Sequence, residues 1–179
     1  MNLENKIRSI YDYPIEGIIF RDITTLLRDK EAYKEAIDRL TDMAKKYNPD
    51  QIVGIEARGF IIGSALAYNL GCGFVPIRKP GKLPFDTISE SYGLEYGKDT
   101  VEIHTDAIVA GEKVLLVDDL LATGGTCKAS IKLIEKLGGE VLSCLFMIEL
   151  DGLGGREKLE GYNVDSLLSY EEKWWTWNF

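Results

Sequence analysis

Histidine is almost missing from this 179-residue chain, where His104 stands alone. One imidazole removes a His-rich zinc site and leaves no credible Ser–His–Asp or Cys–His nucleophile. Cysteine is sparse as well. Cys72, Cys127 and Cys144 are odd in number, lack CxxC spacing and have apolar or small neighbours. That is the pattern of reduced thiols in a cytoplasmic protein rather than of a disulfide framework. The opening MNLENKIRSI has no long apolar run, and no run elsewhere approaches a membrane span, so the expectation is a cytoplasmic chain with no membrane partner. Basic residues are outnumbered, 21 Lys and Arg against 29 Asp and Glu, for a net charge of −8. A nucleic-acid partner would need a local basic patch that this balance does not advertise, and there is no DNA-binding helix pair or spare length for one. Neither GxxxxGK[ST] nor GxGxxG occurs at the strand-to-helix junction described next, which argues against a mononucleotide P-loop and a dinucleotide fold.

Against these absences stands KVLLVDDLLATGGT, Lys113 to Thr126. Val114 to Val117 reads as a strand buried on both faces, with Asp118 and Asp119 following at its C-terminal end. Ala122, Thr123, Gly124, Gly125 and Thr126 then lead into a helical pattern, Thr126 to Leu137, carried by Ile131, Ile134 and Leu137. Small residues let the backbone curl so that several N–H groups face one anion, and the helix adds its positive end. Two threonine hydroxyls can donate as well. A plainer reading is a turn with two N-capping aspartates. Paired carboxylates beside a phosphate cradle nevertheless suit a phosphorylated sugar, either accepting from neighbouring hydroxyls or holding water around a divalent ion.

With 45% hydrophobic and 28% charged residues, 179 positions suffice for one domain with a sizeable core. Leu3, Ile7 and Ile10 mark one face of a short helix for Asn2 to cap. Tyr13 to Thr24, YPIEGIIFRDIT, mixes a Pro–Gly loop with apolar residues that can close over a flat ligand or staple the N-terminus to the core. Asp29 opens a helix whose Ala32, Tyr33, Ala36, Ile37, Leu40 and Ala44 face inward, stopped by Asn48–Pro49. Gln51 to Ile55 is a strand, followed by the charged turn Glu56 to Gly59 and a second apolar helix from Phe60. In a parallel sheet such turns lie where ligands bind, so Arg58 is a forked donor for phosphate. A short strand, Phe74 to Ile77, runs into Arg78, Lys79 and Lys82, a positive cluster best explained in an acidic protein by a bound anion. Phe85 to Thr100 reads as a loose hairpin or lid pivoting on Gly93 and Gly97, with Glu95 and Tyr96 between them. Val101 to Ile103 and Ile108–Val109 alternate like edge-strand residues. Val141 to Ile148 is a further strand, Gly152 to Leu159 a plain connector, and Val164 to Leu168 the strand that closes the sheet. Trp174, Trp175 and Trp177 are expected to pack on the body or on a partner subunit. This element order implies a mostly parallel α/β sheet with helices on both faces.

Four segments and the junction agree in order and spacing. VLLVDDLLATGGT resembles the ribose-5-phosphate signature of type I phosphoribosyltransferases. YPIEGIIFRDIT, GIEARGF, IRKPGKLP and SYGLEYG leading into VEIHTDAI resemble the adenine phosphoribosyltransferases among them, over roughly Ile10 to Tyr170. The resemblance implies one phosphoribosyltransferase domain over residues 1–179, with a hood at 1–29 and a lid at 79–100. It implies Mg²⁺-dependent transfer of the 5-phosphoribosyl group from phosphoribosyl pyrophosphate (PRPP) to N9 of adenine, giving AMP and pyrophosphate in purine salvage, by a homodimer. Asp118 and Asp119 would engage the ribose directly or through magnesium waters, and Ala122 to Thr126 the 5′-phosphate. Arg58, Lys82, Arg78 and Lys79 would surround the diphosphate. Ile19, Phe20 and Arg21 would bracket adenine, with Leu120 on the ring. Glu95 would handle a proton at the purine and Tyr96 would lie near the leaving group. A 6-oxopurine transferase would need an oxo-group donor, and Ile18 to Phe20 offers no amine, leaving Arg21. A PRPP-sensing regulator resembling this fold would carry a nucleic-acid-binding element for which there is no room, and nothing here looks like the ATP site that synthesis of PRPP needs.

Overall fold

In the computed structural model, residues 1–94 and 97–172 are described. Asn2 does cap a turn, its Oδ1 accepting from the Glu4 amide at 3.0 Å, but the turn is a single 3₁₀ one, Glu4–Lys6. The chain then extends as β1 (Arg8–Tyr11), which pairs antiparallel with β2 (Ile19–Asp22). Leu3 and Ile7 are buried as expected, whereas Ile10 sits opposite Phe20 in the strand pair. The cross-strand ladder overrides the helical spacing of Leu3, Ile7 and Ile10.

Helix α1 (Thr24–Arg28) is followed by α2 (Lys30–Lys45), whose N-cap Asp29 accepts from the amides of Glu31 and Ala32. Ala32, Ala36, Ile37, Leu40 and Ala44 form its buried stripe, at helical spacing. Strand β3 (Gln51–Ile55) leads to α3 (Arg58–Leu70), so Arg58 is already helical rather than part of the turn before Phe60. After β4 (Gly73–Ile77) comes the antiparallel hairpin β5 (Thr87–Leu94) and β6 (Gly97–His104), registered from Thr87↔His104 to Leu94↔Gly97. The loose lid is therefore a regular ribbon. Ile108 and Val109 do alternate, buried and exposed, but in a turn and not a strand.

Strand β7 (Lys113–Leu121) runs past the apolar core to include both aspartates, because it stays paired with the following strand as far as Leu121↔Glu149. It is succeeded by α4 (Gly125–Lys136), β8 (Glu140–Asp151), the short α5 (Gly155–Lys158) and β9 (Val164–Glu171).

The main sheet has the order β4-β3-β7-β8-β9, every neighbouring pair parallel. Its strands read as continuous apolar runs because both faces are covered. Ile52, Leu115, Val117, Leu145 and Met147 face α2 and α3. Val53, Val114, Leu116, Cys144 and Phe146 face α4 and the hairpin residues Val101 and Ile103. From β3 the chain steps outward to β4 and returns on the other side as β7. Strand order reverses there, which opens a crevice beyond the C-terminal ends of β3 and β7.

Candidate active site

A cavity of about 490 Å³ occupies that crevice. One wall is the start of α3, which approaches β7 closely: a Cβ on Gly59 would stand 3.0 Å from both Asp118 Oδ1 and the Val117 carbonyl oxygen. Any side chain there would have to push Asp118 or the Val117 carbonyl aside by a few tenths of an ångström. The approach brings Arg58 onto Asp119, with Nε 2.5 Å from Oδ2, and the guanidinium carbon lies 5.5 Å from the centre of the Phe20 ring. Asp119 is buried, and Asp118, whose Oδ1 accepts from the Asp119 amide at 2.8 Å, lies beside it. Burial, and then the neighbouring Asp119 carboxylate, push the Asp118 carboxyl well above the ordinary range.

The adjoining cavity, about 100 Å³, is formed by Ala122 to Thr126 together with Asp118, Leu120 and Phe146. Gly124 takes φ 84° as the N-cap of α4, and no side chain of the described residues caps that helix. Its first amides could serve an anion, with the positive end of a twelve-residue helix behind them.

The basic cluster converges on one carboxylate. Glu56 accepts from the Lys79 amide at 2.5 Å, from Lys82 Nζ at 3.1 Å and from Arg78 Nη2 at 3.5 Å. Burial opposes its charge, but those hydrogen bonds and the two cations hold its carboxyl below the ordinary range. Arg78 Nε is buried without a hydrogen-bond partner among the described residues, so its guanidinium retains donor capacity. Lys79 Nζ pairs with Asp99 on the hairpin. The Tyr92 hydroxyl accepts from Thr126 Oγ1 at 2.7 Å and donates to Asp99 Oδ2 at 3.0 Å, and Glu90 accepts from Lys132 and Lys136 of α4. The hairpin thus lies along α4 from its first turn to its last.

Of the residues singled out in the sequence, Arg58, Arg78, Lys79, Asp118, Asp119, Leu120 and Thr126 line the larger cavity. Ala122 to Gly125 line the smaller one, and Lys82 joins through Glu56. Phe20 reaches the rim over Arg58. Ile19 and Arg21, its neighbours along β2, project from the opposite face of that strand. The Arg21 side chain is turned to the chain's other end: Nη2 and Nε donate to Glu172 Oε1 at 2.7 and 3.2 Å, Nη1 donates to Ser9 Oγ at 2.7 Å, and the guanidinium covers the Tyr170 ring at 4.3 Å. Its main chain is what remains beside Phe20. Glu95, Tyr96 and the three tryptophans lie outside the described residues. Glu56, Tyr92 and Asp99 belong to the site although sequence reasoning did not single out their side chains. The signal for Glu56 was its place at the end of β3; Tyr92 and Asp99 had none beyond membership of the lid.

Among the described residues no group of three or more His, Cys, Asp or Glu converges as a metal cage, and no helix is long and apolar enough to cross a membrane.

Residues 23–179 match the phosphoribosyl transferase domain family. The chain is 60% identical over 170 residues to an adenine phosphoribosyltransferase of Alkaliphilus metalliredigens, covering 95% of this chain and all of that one. It is 62% identical over 168 residues to that of Halothermothrix orenii, covering 94% and 99%. The crystal structure of the Thermoanaerobacter pseudethanolicus adenine phosphoribosyltransferase superposes with a TM-score of 0.91 at 52% identity, covering 94% of this chain and 98% of that one. The Saccharomyces cerevisiae enzyme, complexed with an imino-altritol bisphosphate and adenine, gives 0.87 at 41%, covering 93% and 96%. With the switch-point cavity, the paired aspartates and the uncapped glycine-rich turn, these likenesses show that the chain belongs to the type I phosphoribosyltransferase family, among the adenine phosphoribosyltransferases.

Proposed function

We propose that the chain transfers the 5-phosphoribosyl group of PRPP to N9 of adenine, releasing AMP and pyrophosphate, and that the two adjoining cavities divide the donor between them. N9 attacks the anomeric carbon as the C–O bond to pyrophosphate breaks, through a transition state with oxocarbenium-like character. Such a reaction needs stabilisation of the leaving diphosphate, orientation of the sugar and exclusion of water.

The 5′-phosphate sits in Ala122–Thr126, against the first amides of α4 and the Thr126 hydroxyl. Asp118 and Asp119 face the ribose hydroxyls. Arg58, Arg78, Lys79 and Lys82 receive the diphosphate, with Arg58 exchanging Asp119 for a phosphate oxygen and Glu56 holding the others in one cluster. Phe20 and Leu120 sandwich the base, and the main chain of Ile19 to Arg21 reads its edge. Glu95 and Tyr96, by family likeness, act at the purine and the leaving group once the β5–β6 lid closes. Mg²⁺ suits this donor set: Asp118, raised by burial and by the neighbouring Asp119 carboxylate, and Asp119 itself would hold a hard cation directly or through its waters. When bound, the ion neutralises developing charge on the diphosphate. A homodimer is the working unit, a second subunit steadying Arg78 and the lid; Ile61 and Tyr68, exposed on α3, offer apolar surface.

The observation that carries the reading is the meeting of paired carboxylates and three cations at one 490 Å³ switch-point cavity with a helix N-terminus, uncapped among the described residues, in the smaller cavity adjoining it. The test is pyrophosphate release with PRPP and Mg²⁺, offering adenine, hypoxanthine, guanine and xanthine separately. Activity with adenine alone is expected. Turnover of a 6-oxopurine, or tight PRPP binding with no turnover of any base, would overturn it.

A further inference from the structure

The connector Gly152 to Leu159 packs directly beneath the glycine-rich turn. A Cβ on Gly155 would stand 2.5 Å from the Ala122 carbonyl oxygen and 2.8 Å from Leu121 Cγ. A Cβ on Gly124 would stand 3.0 Å from the Gly155 carbonyl oxygen and 3.1 Å from Lys158 Cβ. At Gly155 and Gly124 each segment packs directly on the other's backbone carbonyl and on Leu121 or Lys158, so a displacement of one must move the other.

Arg156 anchors the lower segment. Its Nε and Nη2 donate to the two oxygens of Glu149 at 2.6 and 2.8 Å, and Nη1 donates to the Val164 carbonyl at 3.0 Å. Glu149 is buried on β8 directly opposite Leu121, the residue that opens the turn, and accepts a further bond from Ser166 of β9 at 2.8 Å. Leu153 and Leu159 are buried at either end of the connector. Arg156 therefore ties α5 to β8 and β9 at the level where the turn leaves the sheet, with β7 joined to Glu149 by the strand ladder.

We propose that Arg156 is a positioning residue for the 5′-phosphate: through Glu149 it clamps α5 against Ala122–Gly124 and so fixes the aim of the amides that receive the phosphate. This rests on the reading of Ala122–Thr126 as the phosphate cradle. Backbone donors act at full strength only when held within about 0.5 Å of the productive geometry, and the two contact points, Gly124 and Gly155, have no side chain with which to adjust.

The test is calorimetry of the full chain with ribose 5-phosphate and, separately, with pyrophosphate and Mg²⁺, together with steady-state kinetics. Arg156→Ala should weaken ribose 5-phosphate by about tenfold or more and raise the KM for PRPP, as a misplacement near 1 Å would. Pyrophosphate binding and the KM for adenine should change by less than about twofold, and Arg156→Lys should recover part of the loss. An equal loss for both ligands, or no loss, overturns the inference. If Arg156→Ala does not fold, Arg156→Lys and Glu149→Gln carry the same comparison with the same outcomes. Thr126→Ala separates the two layers. If it leaves ribose 5-phosphate binding unchanged, the cradle assignment falls and the inference with it. If it weakens binding while the Arg156 variants do not, only the positioning role falls.

Discussion

Replacing Glu172 should injure stability and adenine binding together while sparing PRPP. Its carboxylate is 4% exposed and its partner Arg21 12% exposed, so this is a desolvated pair. In Glu172→Ala the guanidinium keeps, among the described residues, the Ser9 hydroxyl as hydrogen-bond acceptor and the Tyr170 ring beneath it. Removing one partner of a buried pair costs roughly 3–5 kcal/mol. The retained cation–π contact, worth about 1 kcal/mol, puts the expectation at the lower end, about 3 kcal/mol. Glu172→Gln keeps an acceptor and loses charge assistance, for about 1–2 kcal/mol. For a chain of this size each kcal/mol moves Tm by roughly 2–4 °C. The alanine variant should therefore melt about 6–12 °C lower, and the glutamine variant about one to two thirds as far. Because Arg21 belongs to β2 beside Phe20, loosening the pair frees the hood, and the KM for adenine should rise several-fold more than that for PRPP. Denaturant titration and two-substrate kinetics read both effects. Equal costs for the two variants, or the two KM values rising in parallel, would refute the reasoning.

Asp118→Asn should abolish most turnover yet raise stability at neutral pH. A carboxyl whose folded pKa is raised contributes stability below its ordinary range that is lost as pH climbs toward the folded value, and asparagine removes that loss. The stability gap over wild type should close on acidification, which melting curves across pH would show; a variant less stable at neutral pH argues against it. Gly59→Ala should cost about 1–3 kcal/mol by overpacking and raise the KM for PRPP, since Asp118 and the Val117 carbonyl stand 3.0 Å from the new carbon; unchanged melting and kinetics would contradict the close approach. Tyr92→Phe frees the Thr126 hydroxyl from its present partner, so ribose 5-phosphate should bind more tightly by up to about 1 kcal/mol in calorimetry, and weaker binding would show that the tyrosine assists instead.

Local pattern carried most of the architecture into the sequence. The β3 limits, the Asp29 cap and the apolar stripe of α2 follow from spacing of 2 and 3.6 residues and from one side-chain oxygen. The tight glycine-rich turn into α4 was legible because glycine and threonine at a strand-to-helix junction have few other uses. What stayed hidden depends on distance along the chain. Arg21 looks like a cleft residue beside Phe20, yet it answers to Glu172, 151 positions away, and no local feature announces that pairing. Ile10 was drawn into a strand by β2, and β7 was lengthened through its aspartates by β8; both are tertiary decisions. The connector at Gly152 read as filler because its contact with Ala122 exists only after the sheet has formed.

The Arg21–Glu172 clasp also bears on the order of assembly during synthesis. Chains emerge and fold from the N-terminus, and the residues proposed to hold the donor, Arg58 to Thr126, are all translated well before Glu172. The hood strand, though made first, gains its anchor almost last. A nascent chain can thus shape the donor cavity while the acceptor side remains open, and Glu172, just beyond β9, secures the wall against which the base would stack.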